Sequence, residues 1–184
     1  MAENFSLDHL RLIPNHRPAH RDTPTATTAQ RIEMLEIATS DIPRLVVDSR
    51  EALRDKASYT FDTLAEFKNE YPDASLVFFM GLDAFSKFDS WHRWQEILDL
   101  ANLVVIDRPN SELSGWAADL VQLQQSRHGD RVVDAQAGAI ERHSVTQLAI
   151  SATDIRTRMA NRQSIDFLVP ERVKQYIVQH GLYS

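Results

Sequence analysis

Leu76-Val77-Phe78-Phe79-Met80-Gly81-Leu82-Asp83 is the stretch of sequence that decides the fold class. Its first five residues are all apolar, which predicts a strand buried on both faces, as in the middle of a parallel sheet covered by helices. Gly81 ends the predicted strand, and Asp83 follows it closely. The stretch therefore places a carboxylate just past the carboxyl end of a central strand, where ligands bind in open α/β sheets.

Short apolar runs and amphipathic helical patterns alternate on both sides of this central strand. Further strands are predicted at residues 10–13, 45–47 and 103–106. Helices are predicted after Thr27, where Gln30 completes a capping box, after Thr60, and over residues 91–100. The alternation predicts an α/β domain with a mostly parallel sheet.

Two more helices are predicted near the carboxyl end of the chain. Ser151 and Asp154 have the Ser-x-x-Asp spacing of a helix start. In the last helix, Pro170 suits the first turn and Gly181 is a stop signal. Val173, Tyr176 and Ile177 share one face of that last helix. We expect one domain over residues 1–184, in which the helical part 150–184 carries a phosphate-binding motif.

Composition narrows the range of functions. With 184 residues, 43% of them apolar, the chain is long enough for one domain with a proper core. The net charge of -6 argues against a nucleic-acid partner. The absence of cysteine rules out disulfides and Cys-ligated zinc, and no apolar run reaches the roughly 18 residues of a membrane span. We expect a cytoplasmic protein with no membrane partner, and the sequence does not indicate an oligomeric state.

The strongest local signal for ligand binding is the segment that contains Ser151, Thr153 and Arg156. A helix N-terminus offers free N–H donors and the positive end of the helix dipole, and hydroxyls with a guanidinium complete an anion site. This combination suits phosphate. The alternative is an ordinary capped helix with an exposed arginine.

A basic loop follows the first predicted strand. Asn15-His16-Arg17-Pro18-Ala19-His20-Arg21 contains two arginines and two histidines, a suitable clamp for a polyphosphate. The His-x-x-x-His spacing would place two imidazoles on one face only in a helix, and Pro18 argues against a helix there. We therefore predict no metal ligands; the alternative to a phosphate clamp is a solvated basic loop.

Four further candidates each have an ordinary structural alternative. Asp83 is placed to bind a ribose, or is a turn residue. Trp91, with Trp94 one turn later, offers a stacking surface for a heteroaromatic ring, or belongs to the core. Ser58-Tyr59-Thr60 suits a carboxylate at a helix start, or a cap. Arg108, after the strand at 103–106, faces a phosphate or solvent.

In their order and spacing, these segments resemble the bacterial nicotinate mononucleotide adenylyltransferases of NAD biosynthesis along nearly the whole chain. The matched segments are Ile13-Pro14-Asn15 with Pro18, His20 and Arg21; Ser58-Tyr59-Thr60; Gly81-Leu82-Asp83; Ser90-Trp91; Arg108-Pro109; residues 150–156; and Gly181-Leu182-Tyr183. The resemblance implies a Rossmann-like nucleotidyltransferase fold. It also implies adenylyl transfer from ATP to nicotinate mononucleotide, which gives deamido-NAD and pyrophosphate with Mg²⁺ assisting.

The resemblance also implies a role for each matched residue. The catalytic group holds the triphosphate and comprises His20, Arg21, Ser151, Thr153 and Arg156. The nicotinate pocket is shaped by Asn15, Ser58, Tyr59 and Thr60. Trp91 stacks on the pyridine ring, Asp83 binds a ribose, and Arg108 approaches the phosphate of the mononucleotide.

Members of the resembled family open with a strand and a Gly-Gly-Thr-Phe-Asp-Pro-x-His-x-Gly-His loop, and this sequence does not contain that loop. We therefore expect an N-terminally truncated member with little or no adenylyl transfer activity. One alternative is an inactive remnant that binds pyridine nucleotides. The other is an adenylyltransferase for a different acceptor, such as nicotinamide mononucleotide or phosphopantetheine.

Overall fold

The computed structural model describes residues 3–15, 26–107, 122–123, 131–132, 134–145 and 150–183. They belong to two compact units, one drawn from Met1–Ser58 with Leu148–Ser184 and the other from Tyr59–Gln147. The elements are α-helices and parallel strands, which confirms the predicted α/β class. None of the described helices has the length and apolar character needed to cross a bilayer.

The first unit contains a pair of parallel strands, β1 (Leu10–Leu12) and β2 (Leu45–Val47), with Leu10 opposite Leu45. The helix between them, α1 (Thr28–Thr39), begins with the predicted capping box. The Gln30 amide N–H donates to Thr27 Oγ1 at 3.2 Å, and the Thr27 N–H donates to Gln30 Oε1 at 2.9 Å. Two otherwise unsatisfied amides at the helix start are thereby paired.

The last helix of this unit ends in a Schellman motif. The Leu182 amide donates to the Ile177 carbonyl at 3.0 Å, and the Gly181 amide donates to Val178 at 3.2 Å, with Gly181 in the left-handed region at φ +58. Val173, Tyr176 and Ile177 are buried, as predicted, in one hydrophobic cluster. Pro170 lies at the N-cap, just before the first turn. The helices near this end of the chain are α5 (Ala152–Ala160) and α6 (Glu171–Gln179).

The second unit is built on a parallel sheet in the order β3, β4, β5. The middle strand β4 is buried on both faces, since Leu103, Val104 and Val105 are 0–1% exposed. The strands are β3 (Val77–Gly81), β4 (Asn102–Asp107) and β5 (Ile140–Ser144). The helices are α2 (Thr60–Glu70), α3 (Leu82–Phe85) and α4 (Trp94–Leu100), with a 3-10 turn at Phe88–Ser90.

Three features of this unit differ from the sequence-based expectation. Strand β3, which was predicted to be buried on both faces, has only Met80 buried and lies at the end of the strand order β3, β4, β5. Strand β5 was not predicted, because after Ile140 its residues are the polar run Glu141-Arg142-His143-Ser144. It forms by pairing with the buried edge of β4, with Leu103 opposite Ile140. The helix predicted over residues 91–100 begins only at Trp94, since Arg93 has left-handed backbone angles, φ 54 and ψ 38.

Candidate functional site

The start of α5 brings together the three residues predicted to bind phosphate. Ser151 is the N-cap, and its Oγ accepts from the Asp154 amide at 3.0 Å. The Arg156 guanidinium donates to Thr153 Oγ1 at 3.2 Å. Asp154 turns away to pair with Arg158, Nε to Oδ2 2.9 Å. A hydroxyl and a guanidinium are thus held together near the start of an exposed helix, an arrangement that can bind an anion.

Asn15 lies just past β1, and its backbone is held by a residue that the sequence did not single out. Arg31 Nη2 donates to the Asn15 carbonyl at 2.6 Å and to Thr28 Oγ1 at 3.1 Å. Arg31 lies near the start of α1, where a cation opposes the helix dipole. An arginine at such an unfavourable position is the feature of the sequence that could have indicated a contact of Arg31 outside its own helix.

Arg31 and Arg156 also share a neighbour in the first unit, the phenol of Tyr183. Burial raises the pKa of the Tyr183 phenol, and the positive charges of Arg156 and Arg31 reduce this rise without cancelling it. Both guanidinium groups therefore act on one phenol. The predicted anion-binding residue Arg156 has a second cation in its surroundings.

Ser58 is half-buried, and its hydroxyl donates to the backbone carbonyl of Glu51 at 3.4 Å. The hydroxyl is thus engaged with its own chain, and no side-chain hydrogen bond caps the start of α2. Tyr59 occupies that N-cap position in an extended conformation, and Thr60 is the first residue of the helix. No side chain caps the amide N–H groups at the start of α2. A carboxylate bound at this helix start would need those amides as donors.

The Tyr59 ring is 45% exposed and contacts the His92 ring, with a distance of 4.5 Å between the ring centroids. The contact joins the start of α2 to the segment that contains Trp91. Trp91 itself is half-buried and packs edge-on against Phe78 at 6.1 Å and Phe88 at 5.7 Å. Trp91 is therefore part of the core boundary while remaining partly exposed.

Asp83 lies in the first turn of α3 and is exposed. Its Oδ1 folds back over Gly81, 2.6 Å from the position that a Cβ atom at Gly81 would take. The absence of a side chain at Gly81 is therefore what leaves room for the carboxylate at the end of β3.

The remaining predicted residues, His20, Arg21 and Arg108, lie outside the described residues. Of the others, Asn15, Ser58, Ser151, Thr153 and Arg156 belong to the first unit, and Tyr59, Thr60, Asp83 and Trp91 belong to the second. Within the part of the chain that the structure describes, no group of three or more acidic or histidine side chains could hold a metal ion.

Comparison with known proteins identifies the family. A model of the cytidylyltransferase-like family matches residues 1–158. The chain is 44% identical over 186 aligned residues to a probable nicotinate-nucleotide adenylyltransferase of Pseudomonas paraeruginosa, covering 100% of this chain and 86% of that protein. It is also 44% identical to a protein of the same name from Cellvibrio japonicus, covering 100% of this chain and 88% of that protein.

The fold is similar to that of a Plasmodium falciparum nicotinic acid mononucleotide adenylyltransferase complexed with NaAD. The TM-score is 0.70 at 14% identity, over 96% of this chain and 83% of that chain. The same enzyme complexed with APC gives a TM-score of 0.68. The sequence identity along the whole chain confirms the resemblance that the motifs indicated. The chain therefore belongs to the nicotinate-nucleotide adenylyltransferase family.

Proposed function

We propose that this chain binds ATP and nicotinate mononucleotide, and that its reaction is transfer of the adenylyl group between them, which forms deamido-NAD and releases pyrophosphate. Because the sequence lacks the Gly-Gly-Thr-Phe-Asp-Pro-x-His-x-Gly-His loop, we expect the rate of this transfer to be low. The observation that carries the proposal is the start of α5, where Ser151 is the N-cap and the Arg156 guanidinium donates to the Thr153 hydroxyl one turn before it. The names of the relatives that match the whole chain support the same reaction.

In this reaction a phosphate oxygen of the mononucleotide attacks the α-phosphorus of ATP. A new oxygen–phosphorus bond forms, and the bond to the leaving pyrophosphate breaks. No covalent bond to the protein is needed, so catalysis consists of positioning the two phosphates and stabilising the charge that develops between them. We assign this role to five residues: His20, Arg21, Ser151, Thr153 and Arg156.

The mononucleotide is proposed to lie against the start of α2. The amides after Tyr59 receive the nicotinate carboxylate, and Trp91 packs against the pyridine ring. The carboxylate of Asp83 accepts hydrogen bonds from ribose hydroxyls, because a carboxylate has only acceptors to offer. The other proposed contacts are Asn15 and Ser58 with the nicotinate group and Arg108 with the mononucleotide phosphate.

We propose that Mg²⁺ accompanies ATP, as is usual for reactions of nucleoside triphosphates. The described residues do not form a metal site of their own. Mg²⁺ in nucleotide enzymes is held largely by phosphates and water, so its entry with the substrate is consistent with this finding. We assign it no protein ligand and no step, and we place the reaction in the cytoplasm, where ATP is available.

Isothermal titration calorimetry with nicotinate mononucleotide, with and without MgATP, tests the proposal. We expect binding that Trp91→Ala weakens about tenfold through the loss of stacking, while Trp94→Phe leaves it unchanged. Arg156→Gln should weaken ATP binding about tenfold, whereas Arg158→Gln, on the same helix but paired with Asp154, should not.

The acceptor is tested in the same experiment. Nicotinamide mononucleotide and phosphopantetheine should bind more weakly than nicotinate mononucleotide, because neither carries the carboxylate that the α2 amides receive. No heat of binding with nicotinate mononucleotide would contradict the proposal. Binding without formation of deamido-NAD would favour the alternative of an inactive binding protein.

A further inference from the structure

Arg93 has a backbone conformation that is unusual for its residue type. It lies at the N-cap of α4 in the left-handed region, φ 54 and ψ 38, and it makes no side-chain capping hydrogen bond. For any residue with a Cβ atom this conformation is unfavourable, because the Cβ crowds the following carbonyl. The contacts that the Arg93 side chain makes help to offset that cost.

The guanidinium of Arg93 makes two such contacts. Its Nε donates to Glu96 Oε1 at 2.6 Å, and its Nη2 donates to Glu96 Oε2, so that the pair is bidentate. The same guanidinium lies over the ring of Phe61, 3.6 Å from Cζ to the ring centroid. The hydrogen bonds raise the pKa of Arg93 and lower that of Glu96, so both groups remain charged around neutral pH.

These contacts join two segments that carry proposed substrate contacts. Phe61 is in the first turn of α2, next to Tyr59 and Thr60, while Arg93 follows Trp91 by two residues. The ring contact between Tyr59 and His92 is a second connection between the same segments. The Arg93 side chain is thus one of two connections between the segment that contains Trp91 and the start of α2.

We propose that Arg93 is a positioning residue for the mononucleotide: with Glu96 and Phe61 it holds the turn at residues 91–93 against the start of α2. This inference rests on the proposed function, since the bound molecule is nicotinate mononucleotide. The carboxylate and the pyridine ring are parts of one rigid group, so a change in the spacing between the α2 amides and the Trp91 ring prevents both from being contacted at once.

Arg93→Gly tests the inference, because glycine adopts the left-handed backbone without cost while removing the guanidinium. We expect the dissociation constant for nicotinate mononucleotide to rise about fivefold, from loss of the ion pair and the cation–π contact. Glu96→Gln should have a smaller effect of the same sign, and Arg93→Lys should recover part of the affinity. Hydrogen exchange should become faster at residues 59–62 and 91–94.

Arg162→Gly is the matched control. Arg162 is also exposed and left-handed, with φ 55, and it forms no ion pair with the residues that the structure describes. This variant should bind like the parent chain. Equal affinity in Arg93→Gly and the parent would overturn the positioning role alone, while a parent chain that binds no nicotinate mononucleotide would overturn the proposed function as well.

Discussion

At the scale of single residues, Gly81 leaves the space that the carboxylate of Asp83 occupies. The backbone of Gly81, φ -74 and ψ 158, is open to any residue, but an added Cβ would lie 2.6 Å from Asp83 Oδ1. Because Asp83 is exposed, its carboxylate can swing into solvent at little cost. In Gly81→Ala we expect a change in unfolding free energy within about 0.5 kcal/mol.

The affinity of Gly81→Ala for nicotinate mononucleotide should fall about tenfold, as in Asp83→Ala, since the hydrogen bonds to ribose are lost in both. Calorimetry gives the affinity, and urea denaturation gives the stability. Gly181→Ala is the opposite case: its Cβ would meet no atom within 4 Å, but its φ is +58. It should lose about 1 kcal/mol of stability and keep the parent affinity. An unchanged affinity in Gly81→Ala would show that Asp83 is not needed at its present position.

At the scale of elements, Asn102 connects the start of β4 to the segment that leads into β5. It is fully buried. Its Nδ2 donates to the carbonyls of Val132 at 3.1 Å and Ala135 at 2.8 Å, and its Oδ1 accepts from the Ala139 amide at 2.9 Å. The polar strand β5 thus depends on a side chain of the neighbouring strand.

Asn102→Ala should destabilise the chain by about 3 kcal/mol, because buried backbone groups lose their partners. Chemical denaturation measures the loss, and Ser75→Ala is the control. Ser75 is exposed; its Oγ donates to the Ala135 carbonyl at 2.8 Å and accepts from Asn102 Nδ2 at 3.1 Å, so Ser75→Ala removes only part of the same network. A cost for Asn102→Ala no larger than that for Ser75→Ala would contradict this account of β5.

The pair of strands in the first unit is joined by an ion cluster. Asp48, just past β2, accepts from Arg50 Nε at 2.9 Å and from Arg11 Nη1 of β1 at 3.2 Å. Burial by itself raises the pKa of the Asp48 carboxyl, but the hydrogen bonds from Arg50 and the charges of both arginines outweigh it. The pKa therefore lies below its ordinary value of 3.8.

Since the folded pKa of Asp48 is depressed, its contribution to stability is present above the ordinary pKa and is lost as pH falls through the folded pKa. Asp48→Asn should cost about 2 kcal/mol at pH 7, and the difference from the parent should shrink below pH 3.8. Denaturation curves at several pH values measure it. Asp166→Asn, which removes an exposed ion pair with Lys174, should lower the unfolding free energy less at pH 7. A loss of unfolding free energy in Asp48→Asn that does not depend on pH would contradict the stabilising role of the ion cluster.

At the scale of the whole molecule, binding of substrate should raise the thermal stability. Nicotinate mononucleotide at a hundredfold excess over its dissociation constant adds about 2.7 kcal/mol, which for a chain of this size corresponds to about 5–10 °C in Tm. Differential scanning fluorimetry measures the shift. Duplex DNA should give no shift, because the chain carries a net charge of -6; a shift with DNA but not with the mononucleotide would contradict the proposed partners.

Local signals in the sequence predicted much of the fold. The capping box at Thr27, the residue range of strand β3, the Ser151 cap and the glycine stop at Gly181 all lie where they were predicted. In each case the deciding hydrogen bonds, or the apolar run, involve residues within a few positions along the chain. The hydrogen bond between Thr153 and Arg156 was not predicted, although the two residues are only three positions apart in one helix.

By itself, then, the sequence determined the fold class and the family, because local propensity and ordered motifs are written into neighbouring residues; the roles of the candidate site residues stay predictions. Only the tertiary structure decided that Arg31 holds Asn15, that Arg93 lies over Phe61, and that the polar residues after Ile140 form a strand. The physical reason is that each of these depends on a partner at least 16 positions away, and such contacts form only once the chain has packed around its core.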